Sequence, residues 1–101
     1  LLDRVAPGLP GPLVLHACGP HAMLGAVARW ALARDVPAFV AMESAMACGT
    51  GVCRGCALPR SAAARARIAA GSGPQANPEW AMCCAEGPVF AASDLDWERI
   101  P

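Results

Sequence analysis

Cys48, Cys53 and Cys56 form a C-x4-C-x2-C run inside MACGTGVCRGC, and Cys83 and Cys84 follow after a long gap. This is the plant-type spacing for a 2Fe–2S cluster. A compact loop must deliver three thiolates around a small anionic inorganic core. It must also curl tightly enough to aim backbone N–H groups inward. Gly49, Gly51 and Gly55 supply permissive dihedrals and clear side chains from that inner surface. Such N–H contacts and the local burial tune the reduction potential. A fourth thiolate from a distant strand would staple the loop to the rest of the fold. Cys83 and Cys84 both qualify. Neighbours in a strand point to opposite faces, so only one can face the cluster, and the other becomes a small buried hydrophobe. The residues alone do not choose between them.

Two plainer readings compete. Structural zinc usually takes two C-x2-C pairs. Only Cys53 and Cys56 make one here, and the adjacent Cys83 and Cys84 are a poor second. A disulfide framework fits an exported chain, but no basic region followed by an apolar stretch opens this sequence. A cytoplasmic, reducing setting is therefore expected, where clustered cysteines serve metals or catalysis. The spacing favours iron–sulfur over both.

Composition points the same way. The apolar fraction is 55% of 101 residues, but alanine supplies much of it, so the core must be thin. Thin cores lean on a metal, a disulfide or a partner. Net charge is zero, and the eight basic residues, all arginine, are scattered. A nucleic-acid surface needs a clustered basic face, so that class is excluded. No apolar run reaches the roughly 18 to 20 residues of a membrane span. The chain begins with Leu1, which suggests the C-terminal piece of a longer protein.

The elements that must position these cysteines divide into two stretches. Residues 1–12 read as a frayed helix end and a Pro/Gly linker. Residues 13–18 (LVLHAC) form a short apolar run, a buried strand. Pro20 suits the first turn of a helix over 21–34, with Met23, Leu24, Val27, Trp30 and Ala31 as its core face. Val36-Pro37 ends the helix, and 38–42 (AFVAM) is a second strand. This βαβ unit should have parallel strands and a right-handed crossover. Beyond Glu43 come the cysteine loop and a short strand near 57–59. A surface helical turn follows over 61–70, then a plain loop over 71–78. Residues 80–84 form a strand returning to pair with 56–58. Gly87-Pro88 makes a turn, Val89-Phe90 packs, and Trp97 caps the tail. Trp80 and Trp97 are read as packing over the thin core. His16 and His21 carry no assigned chemistry.

CGPHAML, MESAMACGTGVCRGC and CAEGPVF, in that order, are similar to the electron-transfer subunit of the two-subunit bacterial dihydroorotate dehydrogenase. The resemblance covers residue 13 to about residue 97. It implies an α/β chain: the C-terminal βαβ part of a ferredoxin-reductase-like NAD-binding domain (1–42), then a small 2Fe–2S cluster-binding lobe with short strands (43–101). It also implies the fourth ligand, three residues before the GPVF turn, which is Cys84. A related group, resembling the small subunit of NADH-dependent ferredoxin:NADP oxidoreductase, has aspartate in place of the first cysteine, whereas this sequence has Cys48. The stretch 61–78 looks longer than the family's usual loop between third and fourth ligands. A basic residue expected near Ala81 is missing.

The resemblance further implies function. NADH reduces FAD in an upstream part, and the cluster passes electrons singly to the FMN of a dihydroorotate dehydrogenase catalytic subunit, in pyrimidine biosynthesis. The cluster chain itself is non-catalytic and works in a hetero-oligomer. Cys18, Gly19 and Pro20 have a plain reading as the close of a strand before a helix. The resemblance makes them nicotinamide-proximal. The alternatives are the same relay serving another flavoprotein reductase, or a zinc-stapled interaction module.

Overall fold

The computed structural model describes residues 1–71 and 76–101. It is a mixed α/β fold. A short helix α1 (Leu2–Val5) and a 3-10 turn (Ala6–Gly8) precede β1 (Leu15–Cys18), α2 (His21–Ala33) and β2 (Ala38–Ala41). Then come β3 (Ala57–Pro59), α3 (Ala62–Ala70), β4 (Trp80–Met82), α4 (Cys83–Glu86), β5 (Val89–Ala91) and a 3-10 turn (Ala92–Asp94).

β1 and β2 are parallel, pairing Leu15 with Ala38 through Cys18 with Ala41, as a βαβ unit requires. Pro20 N-caps α2 and its carbonyl accepts from Leu24 N–H at 3.0 Å. Asp35, with φ 54°, turns the chain out of the helix before Pro37. β5 then joins the same sheet, antiparallel to β2, in the order β1-β2-β5. The sheet thus draws strands from both sides of residue 42. β3 and β4 form a separate antiparallel pair, with Leu58 opposite Ala81. An isolated bridge between Arg60 and Leu95 ties that pair to the C-terminal segment.

One cluster of buried side chains unites the two sheets. It includes Leu24, Ala28, Ala31, Val40, Met42, Leu58, Ala81, Cys83, Phe90, Leu95 and Trp97. Alanines make up much of it, as composition implied. Trp97 Nε1 donates to Ala92 O at 2.8 Å, so the indole is buried with its polar atom satisfied.

Four expectations need correction. The buried face of α2 is Leu24, Gly25, Ala28 and Ala31, whereas Met23 is 43% exposed and Val27 and Trp30 lie half-buried on the flank. At Gly25 the helix lies against Trp97: a Cβ there would already be in contact with the indole at 3.5 Å. Trp30 instead reaches outward, donating to Asp3 at 2.8 Å. Cys83 and Cys84 are not in a strand, because the chain bends into α4 after Met82. Trp80 lies outside the core and is 38% exposed, stacked by the Arg99 guanidinium at 4.9 Å. Of Val89-Phe90, only Phe90 packs. The surface helix expected over 61–70 is α3, with Ser61 Oγ accepting from Ala64 N–H at 3.2 Å. The loop expected over 71–78 falls partly outside the described residues.

Candidate metal centre

The cysteine loop opens where β2 ends and closes where β3 begins. Gly49 (φ 69°), Gly51 (φ 83°) and Arg54 (φ 59°) adopt left-handed backbone conformations within it. Each such residue turns the chain sharply, so successive N–H groups point to the concave side. Arg54 is the departure from expectation, since a side chain there is strained and the sequence placed glycines around it.

Five backbone N–H groups reach the four candidate sulfurs. Thr50 and Cys53 each donate to Cys48 Sγ at 3.4 Å. Gly55 donates to Cys53 Sγ at 3.4 Å, and Cys84 to Cys56 Sγ at 3.4 Å. Gly51 donates to Cys84 Sγ at 3.1 Å, across 33 residues of chain. The loop and α4 are therefore joined through sulfur. A Cβ on Gly51 would sit 3.3 Å from the Ala85 methyl, which is why this close approach takes glycine.

These donors set the charge state of the thiols. The N–H groups of Cys53 and Thr50 pull Cys48 down to about 5. The Cys84 N–H and thiol lower Cys56. Cys84 is raised, chiefly because its thiol donates to Cys56, with burial adding to the effect. Cys83 is raised by burial, reinforced by the charge on Cys56. Its side chain is fully buried and its Sγ–H donates to Met42 O at 3.5 Å. Within α4 successive side chains point about 100° apart, so Cys83 faces the core while Cys84 faces the loop.

Among the described residues, no three His, Cys, Asp or Glu side chains converge closely enough to hold a single metal ion. The four sulfurs are linked through backbone donors rather than gathered on one point. Thiols that each accept a backbone N–H, two of them with lowered pKa, are suited to thiolate-bound iron. The residues present thus fit an iron–sulfur group. All six cysteines are free thiols.

Cys18, Gly19 and Pro20 stand at the C-terminal end of β1. Cys18 is exposed and pairs in register with Ala41, beyond which Val89 of β5 continues the row. Cys18, Ala41 and Val89, with His16 and Phe39, whose rings stack at 5.4 Å, line a groove of about 210 Å³. His21 links this turn to the cysteine loop, its Nε2 donating to Glu43 O at 2.7 Å. Sequence reasoning assigned His21 nothing, because a carbonyl partner 22 residues away leaves no side-chain signature.

Residues 43–96, over half of the chain, match the family described as the iron–sulfur cluster binding domain of dihydroorotate dehydrogenase B. Among curated relatives, the probable dihydroorotate dehydrogenase B (NAD(+)) electron transfer subunit of Methanopyrus kandleri is 35% identical, over 84% of this chain and 25% of its own. The corresponding subunit of Listeria monocytogenes is 32% identical, over 83% of this chain and 27% of its own. The chain spans about a quarter of the length of these relatives. Among solved structures, a chain of the NADH-dependent reduced ferredoxin-NADP oxidoreductase, studied for flavin-based electron bifurcation, superposes with a TM-score of 0.69 at 23% identity. That match covers 96% of this chain and 29% of the other, and it shows a shared fold.

Proposed function

The chain belongs to the family of iron–sulfur cluster binding domains of dihydroorotate dehydrogenase B, and on that premise we propose that it is the electron-relay end of such a protein. Residues 1–42 are the last part of a ferredoxin-reductase-like NAD-binding domain, and 43–101 form the cluster-binding domain. Cys48, Cys53, Cys56 and Cys84 hold a 2Fe–2S cluster. Cys18, Gly19 and Pro20 lie against the nicotinamide of NAD and beside FAD, both bound mainly by the preceding part of the full-length protein. The bound cluster supplies one-electron transfer between FAD, which NADH reduces, and the FMN of a catalytic subunit that interconverts dihydroorotate and orotate in pyrimidine biosynthesis, in the cytoplasm. This chain does no bond chemistry itself. Its thiolates ligate, its loop amides stabilise negative charge on sulfur, and its exposed cysteine loop offers a close approach for the partner.

The carrying observation is the set of five backbone N–H groups on the four sulfurs. Full-length protein purified without oxygen should be brown, with iron and acid-labile sulfide in equal amounts. Colourless protein holding one zinc and no sulfide would sink the reading. Cys53→Ser should stop electron delivery to the catalytic subunit yet leave dye reduction by NADH through FAD intact. Loss of the dye activity would count against a cluster that acts only after the flavin. Co-purification with a dihydroorotate dehydrogenase catalytic subunit supports that partner. Capture of a different flavoprotein in its place would redirect the relay.

A further inference from the structure

Arg60 is a buried charged side chain, 5% exposed, in a fold whose other arginines are more exposed. It follows β3 directly, four positions after Cys56. Its Nε donates to Asn77 O at 2.9 Å, and its Nη2 donates to Glu86 Oε1. The second Glu86 oxygen accepts from Met82 N–H at 2.6 Å. Glu86 is the last residue of α4, two positions after Cys84. At the sulfur end the same two segments meet again: Cys84 N–H reaches Cys56 Sγ at 3.4 Å, and Cys83 N–H reaches Cys56 O at 3.2 Å. The turn bearing Cys84 is thus fixed at both ends to the strand that follows Cys56.

We propose that Arg60 and Glu86 are positioning residues, a latch between a buried guanidinium and a surface carboxylate that holds α4 so that the Cys84 sulfur stays opposite Cys56 as a ligand. The inference rests on the reading of Cys84 as the fourth ligand. A four-residue helix has too few internal hydrogen bonds to hold its own geometry. Glu86 supplies the lack by binding the turn's entry, at Met82, and the guanidinium beyond its exit. Arginine suits the task because it stays charged and presents several donors in a rigid fork. A partly exposed pair of this kind gives little net stability, but removing Glu86 leaves the buried Arg60 charge without its carboxylate. Its loss therefore costs stability as well as geometry, and the two are told apart by the cluster's line shape. Partners outside the ligands typically alter metal affinity by about 10- to 100-fold.

The test uses full-length protein handled without oxygen. Glu86→Ala should speed iron loss to a chelator by about tenfold and change the electron paramagnetic resonance line shape of the reduced protein. Glu86→Gln, which keeps an acceptor of the same size, should recover part of both. Arg65→Ala removes the more exposed Arg65–Glu79 pair near the same strands and should leave both at wild-type values. Leu24→Ala controls for lost stability, since truncating this fully buried α2 residue should lower the apo unfolding midpoint; its line shape should be unchanged. Wild-type line shape and iron-loss rate in Glu86→Ala would overturn the latch. So would equal perturbation by Leu24→Ala. Wild-type protein lacking iron and sulfide would instead overturn the ligand reading beneath it.

Discussion

Cys83 and Cys84 are covalent neighbours with opposite surroundings. Cys83 is fully buried with its thiol on Met42 O, while Cys84 accepts the Gly51 N–H. Cys84→Ser is therefore expected to abolish the native cluster spectrum, whereas Cys83→Ser keeps it and costs about 1–3 kcal/mol of stability by burying a hydroxyl. Iron content of the two variants checks this, and the opposite pattern would reassign the fourth ligand. Gly87 gives a second residue-level prediction. A Cβ there would lie 2.4 Å from Phe90 Cε2 and 2.9 Å from Cys83 O. Backbone cannot yield as a side chain does, so Gly87→Ala should lower stability by more than the roughly 1 kcal/mol of an average substitution, as read by denaturant unfolding. The loop of Cys48, Cys53 and Cys56, on whose sulfurs the structure aims backbone N–H groups, was legible because it writes itself as local spacing. Arg60 was not, because its partners Asn77 and Glu86 lie 17 and 26 residues away. Nothing in an isolated Pro-Arg-Ser marks the arginine as buried.

At the scale of elements, the strand–helix–strand order and the βαβ pairing were readable from period changes and proline positions. The face of α2 was not. Hydrophobicity selected Met23, Val27 and Trp30, but the face that packs is Leu24, Gly25, Ala28 and Ala31, with Gly25 against Trp97. Size, not apolarity, decides a helix face at a tight contact. Ala28 is fully buried, so Ala28→Leu should destabilise by about 1–3 kcal/mol through overpacking. Met23→Ala should stay within about 0.5 kcal/mol. Urea unfolding of both variants decides, and the reverse order would restore the larger residues as the core face. At α3, Ser61→Ala removes the N-cap bond to Ala64 and should cost about 1 kcal/mol on the same measurement. The joining of β5 to β2 was also unreadable. Gly87-Pro88 marks a turn, but no local signal says which sheet edge the next strand will find.

At the scale of the whole molecule, the core is small for the chain it must hold. Leu24, Val40 and Cys83 are the largest fully buried side chains. The radius of gyration is 14.5 Å, against about 13 Å for a compact chain of this length. The part next to the cysteine loop has the smaller sheet: β3 and β4 form only a two-stranded pair, and such a pair is marginal alone. It is held by Leu58, Ala81 and Cys83 in the common core, by the Arg60–Leu95 bridge, and by contacts through Cys56, Cys84 and the Arg60–Glu86 pair. A group bound by four thiolates across this loop stabilises only the folded state, so its binding energy adds to folding energy. Removing iron with a chelator under reducing, anaerobic conditions should then lower the unfolding temperature by several degrees, in line with the roughly 4–8 °C that each kcal/mol moves a domain of this size. The loss should be uneven. Amides of β3, β4 and the cysteine loop should exchange with deuterium at least about tenfold faster in the apo protein, while those of α2 and β2 change little. Uniform acceleration throughout would mean that the two sheets unfold as a single cooperative unit. Equal protection with and without iron would mean that the loop is held by its backbone bonds alone.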